Sequence, residues 1–156
     1  KIFAAAQAAS SLKEGDLARL FDALGDGDSA VRYWGAMGLL IRRADGVAAG
    51  RDALHKALAD SAPYVRIAAA EALGRYGTDG EAAEALGVLM SLASVEKSGV
   101  YVALAALSAI DDLDARARSA RDEIAALPVK AKNMPNRVGG GYLERLIDKT
   151  LSDLAP

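Results

Sequence analysis

Residues 26–41, DGDSAVRYWGAMGLLI, and residues 60–75, DSAPYVRIAAAEALGR, are the two segments on which the fold turns. Laid over one another at a step of 34, they match Asp26 with Asp60, Val31 with Val65, Arg32 with Arg66, Ala36 with Ala70 and Leu39 with Leu73. The step continues outward through Leu24, Leu58 and Leu92, through Leu20, Leu54 and Val88, and from Leu73 to Leu107. Self-similarity at a fixed period of this length marks a stacked repeat, in which each unit is too small to bury its apolar face alone. The third copy has drifted. Ser94, Gly99 and Val100 hold the Asp, Val and Arg places, while the leucine frame and the small residues Ala105 and Ala106 persist.

Each unit carries two apolar runs at helical spacing: in the first, Leu17, Leu20, Phe21 and Leu24, then Val31, Trp34 and Met37. Turn clusters separate the runs, GDGDSA at 25–30 and ADSAP at 59–63. Their Asp and Ser oxygens can accept from the first amides of the next helix, and Pro63 suits a first-turn position. The spacing predicts helices over 2–10, 16–25, 29–43, 47–59, 63–76, 80–94, 98–111, 114–127 and 142–154. A lone helix of about ten residues is marginal in water, so stacking must hold these together. The alanines of RIAAAEALG (66–74) and VALAALSAI (102–110) let helix axes approach closely.

The predicted fold is all-α, a right-handed α–α superhelix of three to four hairpins plus a capping helix, in one domain over 1–156. Units fall at 16–43, 47–76 and 80–111, with a partial unit at 114–127, a linker at 128–141 and the cap at 142–154. The cap's stripe of Leu143, Leu146, Ile147, Leu151 and Leu154 must be covered, by the array's end or alternatively by another domain or a second chain. Lys1 in place of an initiator Met, with KIFAAAQAASSL resembling the end of a helix, leads to the expectation of a segment cut from a longer protein.

Composition excludes several kinds of chemistry. Lys and Arg number 19 against 21 Asp and Glu, a net charge of −2, so no face tracks a phosphate backbone and nucleic acid is not an expected partner. Charges interrupt every apolar run short of the roughly 20 residues a membrane helix needs, so membrane insertion is not expected. With no cysteine and one histidine, thiolate zinc sites and Cys nucleophiles cannot form, and no cofactor is expected. His55 takes the repeat place of Phe21 and Leu89, which makes it a packing residue with one polar edge in solvent. No G-x-S-x-G elbow presents a serine to it. Asp26 with Asp28, and Asp111, Asp112 and Asp114, lack the oxygen spacing of a calcium loop and fit turn and cap chemistry. Gly139, Gly140 and Gly141 are not followed by the Lys-Ser/Thr of a phosphate loop and fit a hinge.

Helix pairs of this length, with Asp six residues before Arg and Val directly ahead of that Arg, resemble HEAT repeats. In that family the Asp and Arg form a ladder between adjacent turns. The resemblance therefore implies a structural role for Asp26, Arg32, Asp60 and Arg66, with partner binding by the arginines as the alternative. A narrower resemblance rests on DSAVRYWGAMGLLIR (28–42), DSAPYVRIAAAEALGRYG (60–77), VYVALAALSAIDDL (100–113) and the tail KAKNMPNR and GGGYLERLIDKTL (130–137, 139–151). Together these look like the HEAT-like region that follows the catalytic domain in a group of bacterial sulfatases, and Tyr33, Trp34 and Gly35 are its most specific part.

That resemblance implies a non-catalytic fragment of a sulfatase that packs on, stabilises or oligomerises the catalytic domain, and a periplasmic or secreted location. Sulfatases use a formylglycine made in a Cys/Ser-x-Pro-x-Arg motif. The nearest string here, Ser61 to Arg66, places the Arg one residue late, on a turn that helix initiation accounts for. No catalytic residue is therefore expected in this chain. The partner would be protein, either the catalytic domain or another subunit. The alternative is a free-standing HEAT module for protein partners. On either reading Tyr33 and Tyr64 are the candidate partner surface, with Trp34 turned into a helix interface and core packing of both Tyr33 and Trp34 as the plain alternative.

Overall fold

A computed structural model of the chain describes residues 1–130 and 140–155. Among these, every regular element is helical: α1 (Ile2–Ser11), α2 (Leu17–Leu24), α3 (Ser29–Ile41), α4 (Arg43–Ala57), α5 (Pro63–Tyr76), α6 (Asp79–Leu92), α7 (Val95–Ser98), α8 (Val100–Asp111), α9 (Arg121–Ala125) and α10 (Gly140–Asp153). Short 3-10 turns at Glu14–Asp16 and Asp114–Ala120 lead into α2 and α9. Of the linker placed at 128–141, residues 131–139 lie outside the described residues, and Gly139 of the glycine run with them.

The helices form two layers. In one, α1, α3, α5, α8 and α10 lie side by side in that order. All five run the same way. Lys1, Ala4 and Ala5 at the start of α1 border a cleft with Val31 at the start of α3, while Arg42 just past α3 bonds the Ala8 and Ala9 carbonyls near the end of α1. Likewise Arg75 near the end of α5 approaches Asp112 just past α8, and Asp111 at the end of α8 holds Lys149 and Thr150 near the end of α10. The second layer holds α2, α4, α6 and then the 3-10 stretch with α9, each antiparallel to a helix of the first layer as in any helical hairpin. This is a helical-repeat solenoid.

Its seam is the leucine frame. Leu20, Leu39, Leu54, Leu73, Leu89 and Leu107 are all fully buried. In the third copy the frame is rotated by one residue: Leu89 is buried and Val88 only partly, although the 34-residue step points to Val88. Leu89 is thus the fully enclosed leucine of its helix, as Leu54 is of the helix one unit earlier. His55, by the same rotation, is not equivalent to Leu89.

Helix boundaries differ from expectation where backbone geometry intervenes. The helix predicted from 98 starts at Val100, because Gly99 sits at φ 78, a left-handed conformation that ends α7. The break predicted between 43 and 47 is a sharp corner at Arg43 (φ 55), after which α4 runs on with a kink at Gly50 (φ −110, ψ 15). The helix predicted over 114–127 is a 3-10 run followed by the five-residue α9.

Gly35 explains part of the unusual Tyr-Trp-Gly string. A Cβ there would come within 2.9 Å of the Leu20 carbonyl oxygen and the Leu24 amide nitrogen, so α2 and α3 cross backbone to backbone at this point. Gly35→Ala is expected to cost about 1–3 kcal/mol of unfolding free energy through overpacking. Gly87→Ala, in an exposed stretch of α6 with nothing near the added methyl, should instead stabilise by about 0.5–1 kcal/mol. Urea unfolding of the two variants beside the parent checks both signs.

Candidate partner surface and its polar braces

Because α3 and α5 begin side by side, their first turns enclose a groove of about 290 Å³ lined by Ser29, Ala30, Tyr33, Ala62, Tyr64 and Val65. Tyr33 and Tyr64 thus meet from neighbouring helices. Tyr64 is 44% exposed and Tyr33 half-buried. Trp34 turns away and packs on the core, meeting the Tyr33 ring edge-on at 5.6 Å. Burial pushes the Tyr33 hydroxyl up, and the nearby negative charge of Glu71 adds to this, so the phenol stays protonated. Glu71 is itself raised by burial, partly offset by Arg75, whose Nη1 donates to its Oε1 at 2.9 Å. One helix further along the layer, Tyr101 is 59% exposed. The lining offers phenols and one hydroxyl between apolar walls and no imidazole, carboxylate or amine, which suits docking of an apolar side chain and not acid–base chemistry.

Arg32 reaches forward across the repeat. Its Nε and Nη2 donate to Asp60 Oδ2 and Oδ1 at 2.7 and 2.9 Å, while Nη1 donates to the Asp26 and Gly27 carbonyls at 3.0 and 3.1 Å. The Arg32 guanidinium holds the Asp60 carboxyl below the usual carboxylate range. Asp26 itself accepts from the Asp28 amide and from Lys1 Nζ. Arg66 has no carboxylate partner among the described residues and donates to the Leu58 carbonyl and, at 3.4 Å, to Ser91 Oγ. The structure therefore joins Arg32 with Asp60 and leaves Asp60 and Arg66 unjoined. Ser61 is an exposed residue of the turn before α5, and Asp28 accepts from Ala30 N as the cap of α3.

A second brace was not singled out from the sequence. Glu81, nearly fully buried at the start of α6, accepts from Arg51 and, at 2.9 Å, pairs with His55 Nε2, both on α4. Its Oε2 also accepts from the Thr78 amide at 2.7 Å, and Thr78 Oγ1 in turn caps the Glu81 amide. The other ring nitrogen of His55 lies 3.3 Å from Glu84. Neither edge of the imidazole is therefore simply solvated: each meets a carboxylate. Burial opposes ionisation of Glu81, yet the bonds from Thr78, Arg51 and His55 outweigh it and hold the carboxyl at about 2. The signal was present as Thr78-x-x-Glu81, the pattern of a capping box.

Fold and site together define a helical-repeat scaffold with an aromatic groove. Residues 17–111, more than half of the chain, match the HEAT repeats family, and the chain belongs to that family. No curated protein matches the chain. HEAT repeats are generally non-enzymatic and commonly mediate protein interactions. No helix among the described residues is long and apolar enough to cross a membrane.

Both braces carry testable energies. Asp60→Ala leaves the largely buried Arg32 head group without its carboxylate and is expected to cost about 3 kcal/mol. Asp26→Ala, which loses an exposed lysine and the turn bond from the Asp28 amide but leaves no buried charge unpaired, should cost clearly less in the same denaturant titration. For Glu81 the folded carboxyl lies below its unfolded value, so its stabilising contribution is complete above about pH 4.5 and is lost as pH falls toward 2. Glu81→Gln should therefore lower stability at pH 7 and flatten its decline between pH 5 and 2, read from thermal unfolding at stepped pH.

Proposed function

We propose that this chain is a non-catalytic docking and bracing module whose partner is a protein seated on the Tyr33–Tyr64 groove. The groove is the observation that carries the reading: two tyrosines from adjacent units, one of them 44% exposed, flank an apolar cleft on a scaffold of an interaction family. Rigid, amphipathic aromatic side chains supply large contact area at low entropic cost, which is why they dominate interface energetics. On the resemblance carried by VRYWGAMGLLIR and the tail, the partner is the catalytic domain of a sulfatase, of which this chain is a C-terminal fragment that stabilises or oligomerises it. The second reading is a free-standing HEAT module for an unrelated protein, and the family match is compatible with either.

Tyr64→Ser should weaken binding of the partner protein about tenfold or more while leaving the thermal midpoint nearly unchanged, since the ring is largely outside the core. Unchanged affinity would remove the groove from the interface. The reading frame ahead of Lys1 separates the two partners. A Cys/Ser-x-Pro-x-Arg motif there supports the sulfatase reading, and a frame without one leaves the free-standing module. The isolated chain is expected to release no sulfate from an aryl sulfate.

A further inference from the structure

The tyrosine groove lies where two helices begin, and that sets which hydrogen-bonding groups it offers. In the opening turn of a helix the amides are free and the carbonyls are spent within the helix. Asp28 and Asp60 take the Ala30 and Ala62 amides, but among the described residues the amides of Ser29 and Tyr64 meet no acceptor. The Ala62 carbonyl already accepts from Val65 and Arg66. To these amides the lining adds the hydroxyls of Ser29, Tyr33 and Tyr64 between apolar walls. The groove therefore offers donors and calls for acceptors. An anion is a poor occupant, because Asp28 and Asp60 place carboxylates at both helix starts and no Lys or Arg lines the groove.

A peptide can meet such a surface as a strand, a helix or a polyproline segment. A strand brings N–H groups that would need acceptors, and a helix keeps both its amides and its carbonyls to itself. A proline-rich segment brings carbonyls alone, since proline has no N–H. Spacing points the same way. Tyr64 and Tyr101 are each the second residue of neighbouring helices, α5 and α8, and both are exposed. Packed helix axes stand about 8–10 Å apart. A polyproline II helix turns the same side outward every three residues, a step of about 9 Å. Given the groove as the partner surface, on which this rests, we propose that it binds a proline-rich segment of the partner protein. The segment runs across the first layer from Tyr33 and Tyr64 to Tyr101, its rings packed on the tyrosines and its carbonyls accepting from their hydroxyls.

Trp34, the one tryptophan of the chain, meets Tyr33 edge-on and so reports on the groove. Its fluorescence is followed while a ten-residue polyproline peptide is added, beside an alanine-rich helical peptide and a glycine–serine peptide of equal length. A saturable change is expected with polyproline and not with the other two. Tyr64→Ser and Tyr101→Ser should each weaken polyproline binding about three- to tenfold. Both should leave the thermal midpoint unchanged, since the two rings stand largely outside the core. No saturable response to polyproline, an equal response to either control peptide, or polyproline affinity unchanged in either variant overturns the proposal. If polyproline fails while Tyr64→Ser still weakens the partner protein, only the proline-rich ligand falls; if the partner's affinity is unchanged as well, the groove falls with it.

Discussion

Close approach of parallel helices is the constraint on which the rest of this structure depends. Five helices of about ten to fourteen residues lie side by side, and the residues between them are small. Ala36, Ala69, Ala70, Ala72, Ala103 and Ala106 are essentially inaccessible to solvent. Gly38 lies against Ala9 and Leu20, and Gly74 against Leu113. None of these side chains hides much area, so cohesion comes from many short dispersion contacts made possible by short axis separations. The leucines then only need to fill the space between layers, which is why one leucine per helix is fully enclosed in α2, α3, α4, α5, α6 and α8.

Such a seam is apolar and nearly featureless along its length, so polar side chains fix how one unit sits on the next. Arg32 fastens the first hairpin to the second through Asp60. Glu81 fastens the second to the third through Arg51 and His55. Arg42 and Arg116 do similar work at the other edge, the first on the carbonyls of Ala8 and Ala9, the second on those of Gly74 and Gly77. Thr150, fully buried, donates to Asp111 and sets α10 against α8. Each of these bonds spans 25 or more residues of chain.

The period, the all-helical class and the buried leucines were legible in the sequence because all three follow from spacing. What spacing could not convey was which copy an arginine reaches. The HEAT resemblance implies a ladder between adjacent turns without saying which residues meet: Arg32 takes the Asp26 carbonyl and gives its fork to Asp60, while Arg66 meets no carboxylate among the described residues. That choice depends on the rise from one unit to the next, which no single unit contains. The rotation that buries Leu89 in place of Val88 was not legible either, because both residues are apolar and the 34-residue step points to Val88. The meeting of Tyr33 and Tyr64 across a groove could be expected, because both sit in the opening turns of helices that correspond in the repeat. The pairing of His55 with two glutamates could not, since Glu81 and Glu84 occur in one copy only.

The common direction of the five helices has an electrical consequence. Within their own layer the peptide dipoles of α1, α3, α5, α8 and α10 point the same way, and the antiparallel helices of the second layer carry the opposite sense behind them. Along the first layer, the rim where the tyrosine groove opens carries the positive ends and the opposite rim the negative ones, while the second layer is arranged the other way. Arg42 and Arg116 bring positive charge to the carbonyl rim at three of those five ends, Arg42 at α1 and α3 and Arg116 at α5. A surface contact on the outer face of the first layer therefore meets helix ends of a single sign along each rim, a local polarity that a tally of formal charges, close to zero, does not reveal.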